Sequence, residues 1–263
     1  MTVWSDPMFK MTAISVLFSS VAVMAAAQSS DQDLGQAASD PTASLTAYIL
    51  QDFYTPNYHG GNDGQGNRLQ FRMALPYQLG STNNIFRITL PYVTENLANT
   101  SGLSDVTVFN LTTFDRTWGR FGLGGVALAP TGSDSQSAER WAIGPAAGFV
   151  AQSDWGIWGA FNQNLLDIGG DDDHAQVDVS ILQPIVSLNL ADGWSIGTSD
   201  MSITYDWNAH DFISLPLGIQ LNRLANIGGK PVQFGLSYEY NFYDDAPAPK
   251  DTIGFTIKVL SPT

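Results

Sequence analysis

The chain has 263 residues, of which 44% are hydrophobic and only 14% are charged, and its formal net charge is −14. An acidic chain with 11 scattered basic residues is a poor candidate for binding nucleic acid, because neutralising phosphates requires clustered lysine and arginine. The absence of cysteine excludes a disulfide scaffold, thiol catalysis and a cysteine-based metal site.

The first predicted element is an export signal over residues 1–27. Lys10 precedes an apolar run that ends in three consecutive alanines, the order of a basic region, an apolar region and a small-residue cleavage site. Serine and threonine within the run make it weakly apolar for a membrane-anchoring helix, which is the alternative. We predict cleavage near Ala27, followed by a flexible, acidic periplasmic lead-in over residues 28–41.

Residues 42–263 are predicted to form an all-β, transmembrane, antiparallel up-and-down barrel. Helical periodicity is almost absent, and segments of about 9 to 15 residues with alternating apolar and polar side chains recur between turns. The last segment is expected to close the barrel by pairing with the first, so that no sheet edge meets lipid. The twelve predicted strands span residues 42–54, 67–79, 84–92, 105–114, 121–129, 140–151, 155–168, 175–190, 194–206, 212–225, 231–243 and 252–260.

The connections between the predicted strands alternate in length. Short turns follow the even-numbered strands, and longer polar loops tend to follow the odd-numbered strands. An outer-membrane barrel has this pattern, because its short turns lie in the periplasm and its long loops lie outside the cell. A soluble sandwich has no reason to sort loop length by strand parity.

The two faces of several strands differ clearly in polarity. In the tenth predicted strand, Leu217, Ile219 and Leu221 share one face. Gln220 and Asn222 lie on the other face. With lipid outside, the apolar face points outward and the polar face lines a lumen.

Five strands depart from this pattern. The first, fourth, fifth and seventh are ambiguous, and the eighth changes phase. Val177, Val179 and Ile181 have odd numbers, whereas the apolar residues after Gln183-Pro184 have even numbers. Because proline lacks the ladder donor, we expect a bulge or kink at Pro184.

Tryptophan and tyrosine concentrate at the strand ends. Membrane–water interfaces favour these amphipathic rings, so we predict two aromatic girdles. The girdle residues are Trp118, Trp155 and Trp194 beside short turns, and Trp141, Trp207 and Tyr243 at the long-loop ends.

Charged and amide side chains on the polar faces are the candidates for contact with a solute. A cluster of arginines would attract anionic aromatics or stack on rings. The alternative is a narrow, closed barrel whose interior is filled by paired charges, with Glu239 and Lys258 on adjacent strands as one such pair. The candidates are Arg68, Arg72, Arg87, Gln220, Asn222, Glu239 and Lys258.

The histidines give little sign of catalysis. His59, His174 and His210 all fall in long loops, outside the His-x-Ser pattern of lipid-hydrolysing barrels. No Gly-x-Ser-x-Gly elbow occurs either, so we predict that the protein is not an enzyme, with a lipid-modifying barrel as a remaining alternative.

One acidic loop offers metal-binding chemistry. Asp171-Asp172-Asp173-His174 supplies oxygen ligands and an imidazole, but it lacks the spacing of a calcium loop. We therefore predict a solvated loop, no dedicated metal site and no cofactor. Weak divalent binding shared with lipopolysaccharide phosphates is the alternative.

Several sequence segments also indicate a family. The chain resembles the bacterial outer-membrane barrels of the family named MetA-pathway of phenol degradation, well over its last half and loosely over its first. The resemblance implies an outer-membrane protein with a role in the passage of hydrophobic or aromatic solutes. The segments that carry the resemblance are GVALAPTGSD (125–134), QPIVSLNLADGWSIGTSDMSITYDW (183–207), LPLGIQLNRL (215–224), GKPVQFGLSYEYNFY (229–243) and GFTIKVLSP (254–262).

We expect an outer-membrane channel for passive passage of small apolar or aromatic solutes, and a closed structural or surface-interaction barrel is the alternative. The expected partners are outer-membrane lipid, lipopolysaccharide and the solute, with no nucleic acid. The barrel-assembly machinery is a further expected partner, because Thr252, Gly254 and Ile257 fit the pattern of the terminal strands that it recognises.

Overall fold

Strands dominate the residues that the structure, a computed structural model, describes: 34–61, 64–245 and 247–262. The predicted signal peptide lies outside these residues. A helical turn spans residues 34–37, a 3-10 turn spans His59–Gly61, and no helix in the described ranges is long and apolar enough to cross a membrane. The strands are β1 Leu45–Tyr58, β2 Gly66–Leu79, β3 Thr82–Glu95, β4 Gly102–Leu103, β5 Val106–Arg116, β6 Gly119–Ala129, β7 Arg140–Ser153, β8 Gly156–Gly170, β9 Val179–Asn189, β10 Trp194–Thr198, β11 Ile203–Asp206, β12 Asp211–Ser214, β13 Pro216–Ile227, β14 Lys230–Asn241 and β15 Pro249–Pro262.

The strands form a closed antiparallel barrel, as predicted. β1 pairs with β15 from Leu45↔Pro262 onward, so the last strand closes on the first. One strand of the barrel is interrupted and consists of β10 and β11. A second is interrupted and consists of β12 and β13, and within the described residues the two-residue β4 pairs only with β3. The barrel therefore has twelve strands, and its interruptions fall within the ninth and tenth predicted strands.

The predicted alternation of loop length is also confirmed. Turns of two to four residues follow β2, β5, β7, β9 and β13, whereas five of the six connections at the other end have 7 to 10 residues and the one between β11 and β12 has four. Both ends of the barrel sheet, at Leu45 and Pro262, lie at the short-turn end. This end is periplasmic in the predicted orientation.

Large apolar side chains cover the outside of the barrel. Leu217, Ile219 and Leu221 are exposed, whereas Gln220 and Asn222 on the other face are buried, so the predicted faces of this strand are confirmed. A belt of exposed apolar side chains suits a barrel that is surrounded by lipid. It includes Tyr48, Leu50, Leu69, Phe71, Leu123, Ile143, Leu166, Leu182, Leu188, Leu236, Ile253 and Phe255.

The interior has two unlike sides. The side formed by β5 to β9, here called the apolar wall, carries a packed cluster of Phe109, Leu111, Val126, Ala142, Ala146, Val150, Ile157, Phe161, Leu165 and Ile185. The side formed by β13 to β15, β1 and β2, here called the polar wall, carries the buried side chains of Gln51, Gln70, Gln220, Asn222, Gln233, Thr256 and Lys258. The apolar wall includes the fourth, fifth and seventh predicted strands, whose faces were ambiguous in the sequence, and the eighth, whose apolar residues change parity.

The apolar wall also explains the phase change in the eighth predicted strand. The pairing of β8 with β9 runs without a shift from Gly156↔Leu188 to Leu165↔Val179, so the bulge predicted within this strand is wrong. Val177, Val179 and Ile181 instead pack inward against the apolar cluster. The apolar residues change parity because this strand is apolar on its inner face at one end and on its outer face at the other.

The irregularity lies in the neighbouring strand. Between Gly197↔Ser187 and Ile203↔Leu182, five residues on the β10–β11 side face four on β9, so one extra residue is accommodated. Pro184 offers no donor there, and Thr198 Oγ1 bridges the gap by donating to the carbonyl of Pro184 at 3.1 Å and accepting from the amide of Val186 at 3.0 Å. Residues 199–202 leave the ladder, and the Asp200 side chain meets groups of the polar wall.

Candidate functional site

A cavity of about 510 Å³ occupies the long-loop end of the lumen. We call it the vestibule. Arg68, Arg72 and Glu239 line it, and the loop residues Asn96 and Gln136 contribute from above. The guanidinium of Arg68 lies 5.0 Å from the centre of the Phe53 ring, a cation–π contact. The vestibule therefore offers charges of both signs beside an aromatic ring.

A hydrogen-bonded cluster around Asp200 forms the floor of the vestibule. Asp200 Oδ2 accepts from Arg72 Nη1 at 3.0 Å and from Gln51 Nε2 at 2.8 Å. Gln183 Nε2 donates to Asp200 Oδ1 at 3.4 Å. With the Gln70 amide turned so that its oxygen faces Arg72, that oxygen accepts from Nε and Nη2 at 2.7 Å. We call these five residues the Asp200 network, and it joins the polar wall to the interrupted strand.

Arg87 lies where the two walls meet. Its guanidinium sits 4.1 Å from the centre of the Phe109 ring and 5.7 Å from that of Phe161, so it faces the apolar wall. Its Nε is buried and has no hydrogen-bond partner among the described residues. A buried cation with an unused donor is costly unless an opposite charge or an acceptor reaches it.

The segment of residues 34–44 fills the short-turn end of the lumen. Lys258 Nζ donates to the carbonyl of Ala38 at 3.0 Å, and Arg120 Nη1 donates to that of Thr42 at 2.8 Å. Leu34 and Ala37 pack against an apolar cluster at the start of β1. The flexible lead-in predicted over residues 28–41 thus includes residues, from 34 onward, that contact the barrel interior. We call residues 34–44 the N-terminal segment.

Little free space remains beside this segment. Cavities of about 60 and 20 Å³ lie between it, the polar wall and the Asp200 network. Asp40 faces the larger one, and burial raises the pKa of its carboxyl against the opposing effect of two hydrogen bonds from Thr42.

The predicted pair of Glu239 and Lys258 does not form. Lys258 lies opposite Gln233 on β14, whereas Glu239 lies opposite Thr252. Six residues along an antiparallel strand correspond to about 20 Å. Glu239 therefore belongs to the vestibule and Lys258 to the short-turn part of the lumen, and the pairing expected from adjacency of strands is wrong.

The remaining predicted lumen residues do line the interior. Gln220 Nε2 donates to Asn222 Oδ1 at 2.6 Å, and both side chains are buried. Arg72 joins the Asp200 network, and Arg68 lines the vestibule. Of the seven candidates, Arg72, Arg87 and Lys258 are brought together around one cavity.

Sequence reasoning missed Asp200, the centre of the network. The available signal was an aspartate in the middle of a predicted spanning strand. Ser199 and Ser202 lie on either side of it and interrupt the apolar–polar alternation of that strand. It also missed that Phe109 and Phe161 face the lumen, because apolar residues on both faces of β5 and β8 gave no clear direction.

The predicted girdle residues lie outside the lumen. Trp118, Trp155, Trp194, Trp141 and Trp207 are exposed, and Tyr243 is partly exposed. Arg223 lies 5.2 Å from the centre of the Trp194 ring. Their role as a membrane girdle stays a prediction.

The long loops present no arrangement of catalytic or metal-binding groups among the described residues. No three His, Asp or Glu side chains there are grouped as metal ligands, and none of the three histidines hydrogen-bonds a serine. Asp172 instead meets Arg140, whose guanidinium makes a two-bond ion pair with Asp167 at 2.7 and 2.9 Å. Through this ion pair Arg140 ties β7 to β8 at the long-loop end.

Comparison with known proteins identifies the fold of the chain. No protein-family model and no curated protein sequence matches the chain. Its structure is similar to that of the COG4313 outer membrane channel from Pseudomonas putida F1, with a TM-score of 0.61 and 14% identity over 83% of this chain and 96% of that one. The outer membrane phospholipase A from Escherichia coli gives a TM-score of 0.43 at 11% identity over 82% and 98%, too low to carry an argument. The first likeness shows that the chain has the fold of an outer-membrane barrel.

Proposed function

We propose that the chain is an outer-membrane channel, of the family named for the MetA pathway of phenol degradation, that passes small apolar or aromatic solutes. One observation carries the proposal. The floor of the vestibule is made of exchangeable side-chain hydrogen bonds from Arg72, Asp200 and three glutamines, not of packed backbone. Such a floor opens when side chains change rotamer, without breaking the barrel.

The location of the protein in the outer membrane is part of this proposal. It is supported by the exposed apolar belt, by the sorting of loop length to opposite ends and by the fold shared with an outer membrane channel. The export signal over residues 1–27 and cleavage near Ala27 remain predictions from the sequence.

The two unlike walls give the lumen its selectivity in this proposal. A small aromatic solute enters the vestibule, where Arg68 and Phe53 offer a cation and a ring. It then passes the Asp200 network with its ring toward Phe109 and Phe161 on the apolar wall. Its polar group meanwhile replaces hydrogen bonds on the polar wall. The concentration gradient supplies the driving force, and no cofactor is required.

Planar-bilayer recordings of the full purified chain test conduction. We expect discrete steps in potassium chloride, a larger conductance for Arg72→Ala because it removes one side chain from the floor, and a lower current when benzyl alcohol occupies the lumen. Arg223→Ala is the matched control, since Arg223 lies over an exposed tryptophan outside the lumen. A wild-type chain and an Arg72→Ala variant that both insert but carry no current would refute the channel.

A closed structural barrel is the second candidate, and a specific observation favours it. The N-terminal segment occupies the short-turn end and leaves cavities of only about 60 and 20 Å³. Removal of residues 34–41 from the full chain separates the two functions. A channel gated by the segment gains conductance on its removal, whereas a structural barrel remains silent and loses stability alone.

A further inference from the structure

Three cations surround the cavity of about 60 Å³ beneath the Asp200 network. Arg72, Arg87 and Lys258 all line it. Asp200 is the carboxylate within their reach: it bonds Arg72 at 3.0 Å and interacts electrostatically with the other two. Positive charge therefore exceeds negative charge at this point, inside a chain whose overall charge is −14.

A second carboxylate, Asp40, lines the same cavity. Its Oδ1 accepts from the amide and hydroxyl of Thr42 at 2.7 and 2.6 Å. Even with both carboxylates counted as ionised, the three cations that line the cavity exceed them by one. Asp40 thus leaves the excess of cations around the cavity in place.

Hydrogen-bond donors are also left over. Arg87 lies over the rings of Phe109 and Phe161, and its buried Nε has no hydrogen-bond partner among the described residues. Within the described part of the chain, Lys258 Nζ makes one hydrogen bond, to the carbonyl of Ala38, although an ammonium has three donors. Uncompensated buried cations are costly in a membrane protein, and they mark sites where an opposite charge is bound.

We propose that this cavity binds one small monovalent anion, a halide or a short-chain carboxylate, between Arg87 and Lys258. The anion accepts from the free donors and balances the excess charge. Ile49, Ala74 and Ile85 complete the wall, so the site pairs its cations with an aliphatic surface. A water molecule needs about 10–15 Å³ of such a volume, so the site holds an ion of a few heavy atoms and excludes an aromatic acid.

The anion also stabilises the N-terminal segment in the lumen. Lys258, which binds the anion, is the residue that holds the carbonyl of Ala38. The site does not rest on conduction, because a closed barrel holds the same cations in the same places. Failure of the channel proposal and failure of the anion site are therefore separate results.

Thermal unfolding of the full chain in detergent tests the site. Sodium chloride is exchanged for sodium gluconate at constant ionic strength, and the unfolding midpoint is followed by tryptophan fluorescence. We expect the midpoint to rise with chloride and to saturate, because an ion that binds only the folded state stabilises it. We expect acetate to raise the unfolding midpoint as chloride does, and benzoate to leave it unchanged.

Arg87→Gln removes the central donor and keeps a polar side chain. We expect its apparent chloride affinity to fall at least about tenfold, since a hydrogen bond to a charged group is lost. Arg223→Gln, a loss of the same charge outside the lumen, should keep the wild-type affinity. No chloride dependence in the wild type, or equal dependence in Arg87→Gln, would overturn the proposal.

Crystals of the wild-type chain soaked in bromide give an independent readout if Arg87→Gln does not fold. An anomalous peak between the guanidinium of Arg87 and the ammonium of Lys258 is expected. Its absence at a bromide concentration that saturates the thermal effect would equally overturn the site.

Discussion

The apolar and polar walls of one barrel solve the same packing problem in different ways. On the apolar wall, side chains such as Phe161 and Leu111 are fully buried and pack as in the core of a soluble protein. On the polar wall, buried amides donate hydrogen bonds to neighbouring side-chain oxygens, Gln51 to Thr256 and Gln220 to Asn222. The first wall depends on shape and the second on the pairing of donors with acceptors.

The two walls therefore tolerate different substitutions. A packed wall is damaged by lost volume, because the neighbours relax only partly into the space. A hydrogen-bonded wall is damaged when one partner is removed and the other is left buried. The following predictions separate these two responses.

The largest effect is expected on the apolar wall. Phe161→Ala empties a fully buried site and should reduce the free energy of unfolding by about 3–5 kcal/mol. Urea unfolding of the folded barrel in micelles measures it. The matched control is Phe255→Ala, which truncates an exposed side chain on the outer surface and creates no internal cavity. Equal losses in the two variants would contradict a packed apolar wall.

A smaller effect is expected at the Asp200 network. Asp200→Asn removes the charge that holds Arg72 and should cost about 1–3 kcal/mol, because the arginine keeps its charge without its partner. Glu239→Gln is the control, as Glu239 lines the vestibule and has no ion pair within the described ranges. The same urea titration compares them, and a loss from Glu239→Gln as large as that from Asp200→Asn would argue against a specific network.

The smallest effect is expected among the amides of the polar wall. Gln220→Leu leaves the Asn222 oxygen without its partner and should cost about 1 kcal/mol. Gln233→Leu should cost less or stabilise, because Oε1 of Gln233 is already buried without a hydrogen-bond partner among the residues that the structure describes. Urea unfolding should give a lower midpoint for Gln220→Leu than for Gln233→Leu. The reverse order would show that side-chain volume governs the stability of this wall too.

The two walls also explain how much the sequence could predict. Strands of the polar wall alternate cleanly, as Gln220 and Asn222 do against Leu217 and Ile219, so both their faces could be read from the period of two. Strands of the apolar wall carry apolar residues on both faces, so their period is hidden, and Val177 and Val179 were misread as a phase change. The closed twelve-stranded architecture followed from loop lengths and so was predicted in spite of this.

The candidate site was predicted only in part, for a different reason. Arg72, Arg87 and Lys258 could be assigned to the lumen from parity alone. Asp200, the carboxylate that they share, could not be assigned to the lumen in this way. It turns inward where one extra residue on its own strand faces a proline on the next strand. A register defect arises from two strands together, so neither strand predicts it by itself. The docking of the N-terminal segment is likewise a contact between positions 220 residues apart.

The bond from Lys258 to Ala38 has a consequence for the order of assembly. Lys258 belongs to β15, which pairs with β1 when the sheet closes, so the receptor for the N-terminal segment is incomplete until then. Docking of the N-terminal segment through Lys258 therefore requires β15 to be in place, so the two ends of the described chain are held by one another at the point where the sheet closes.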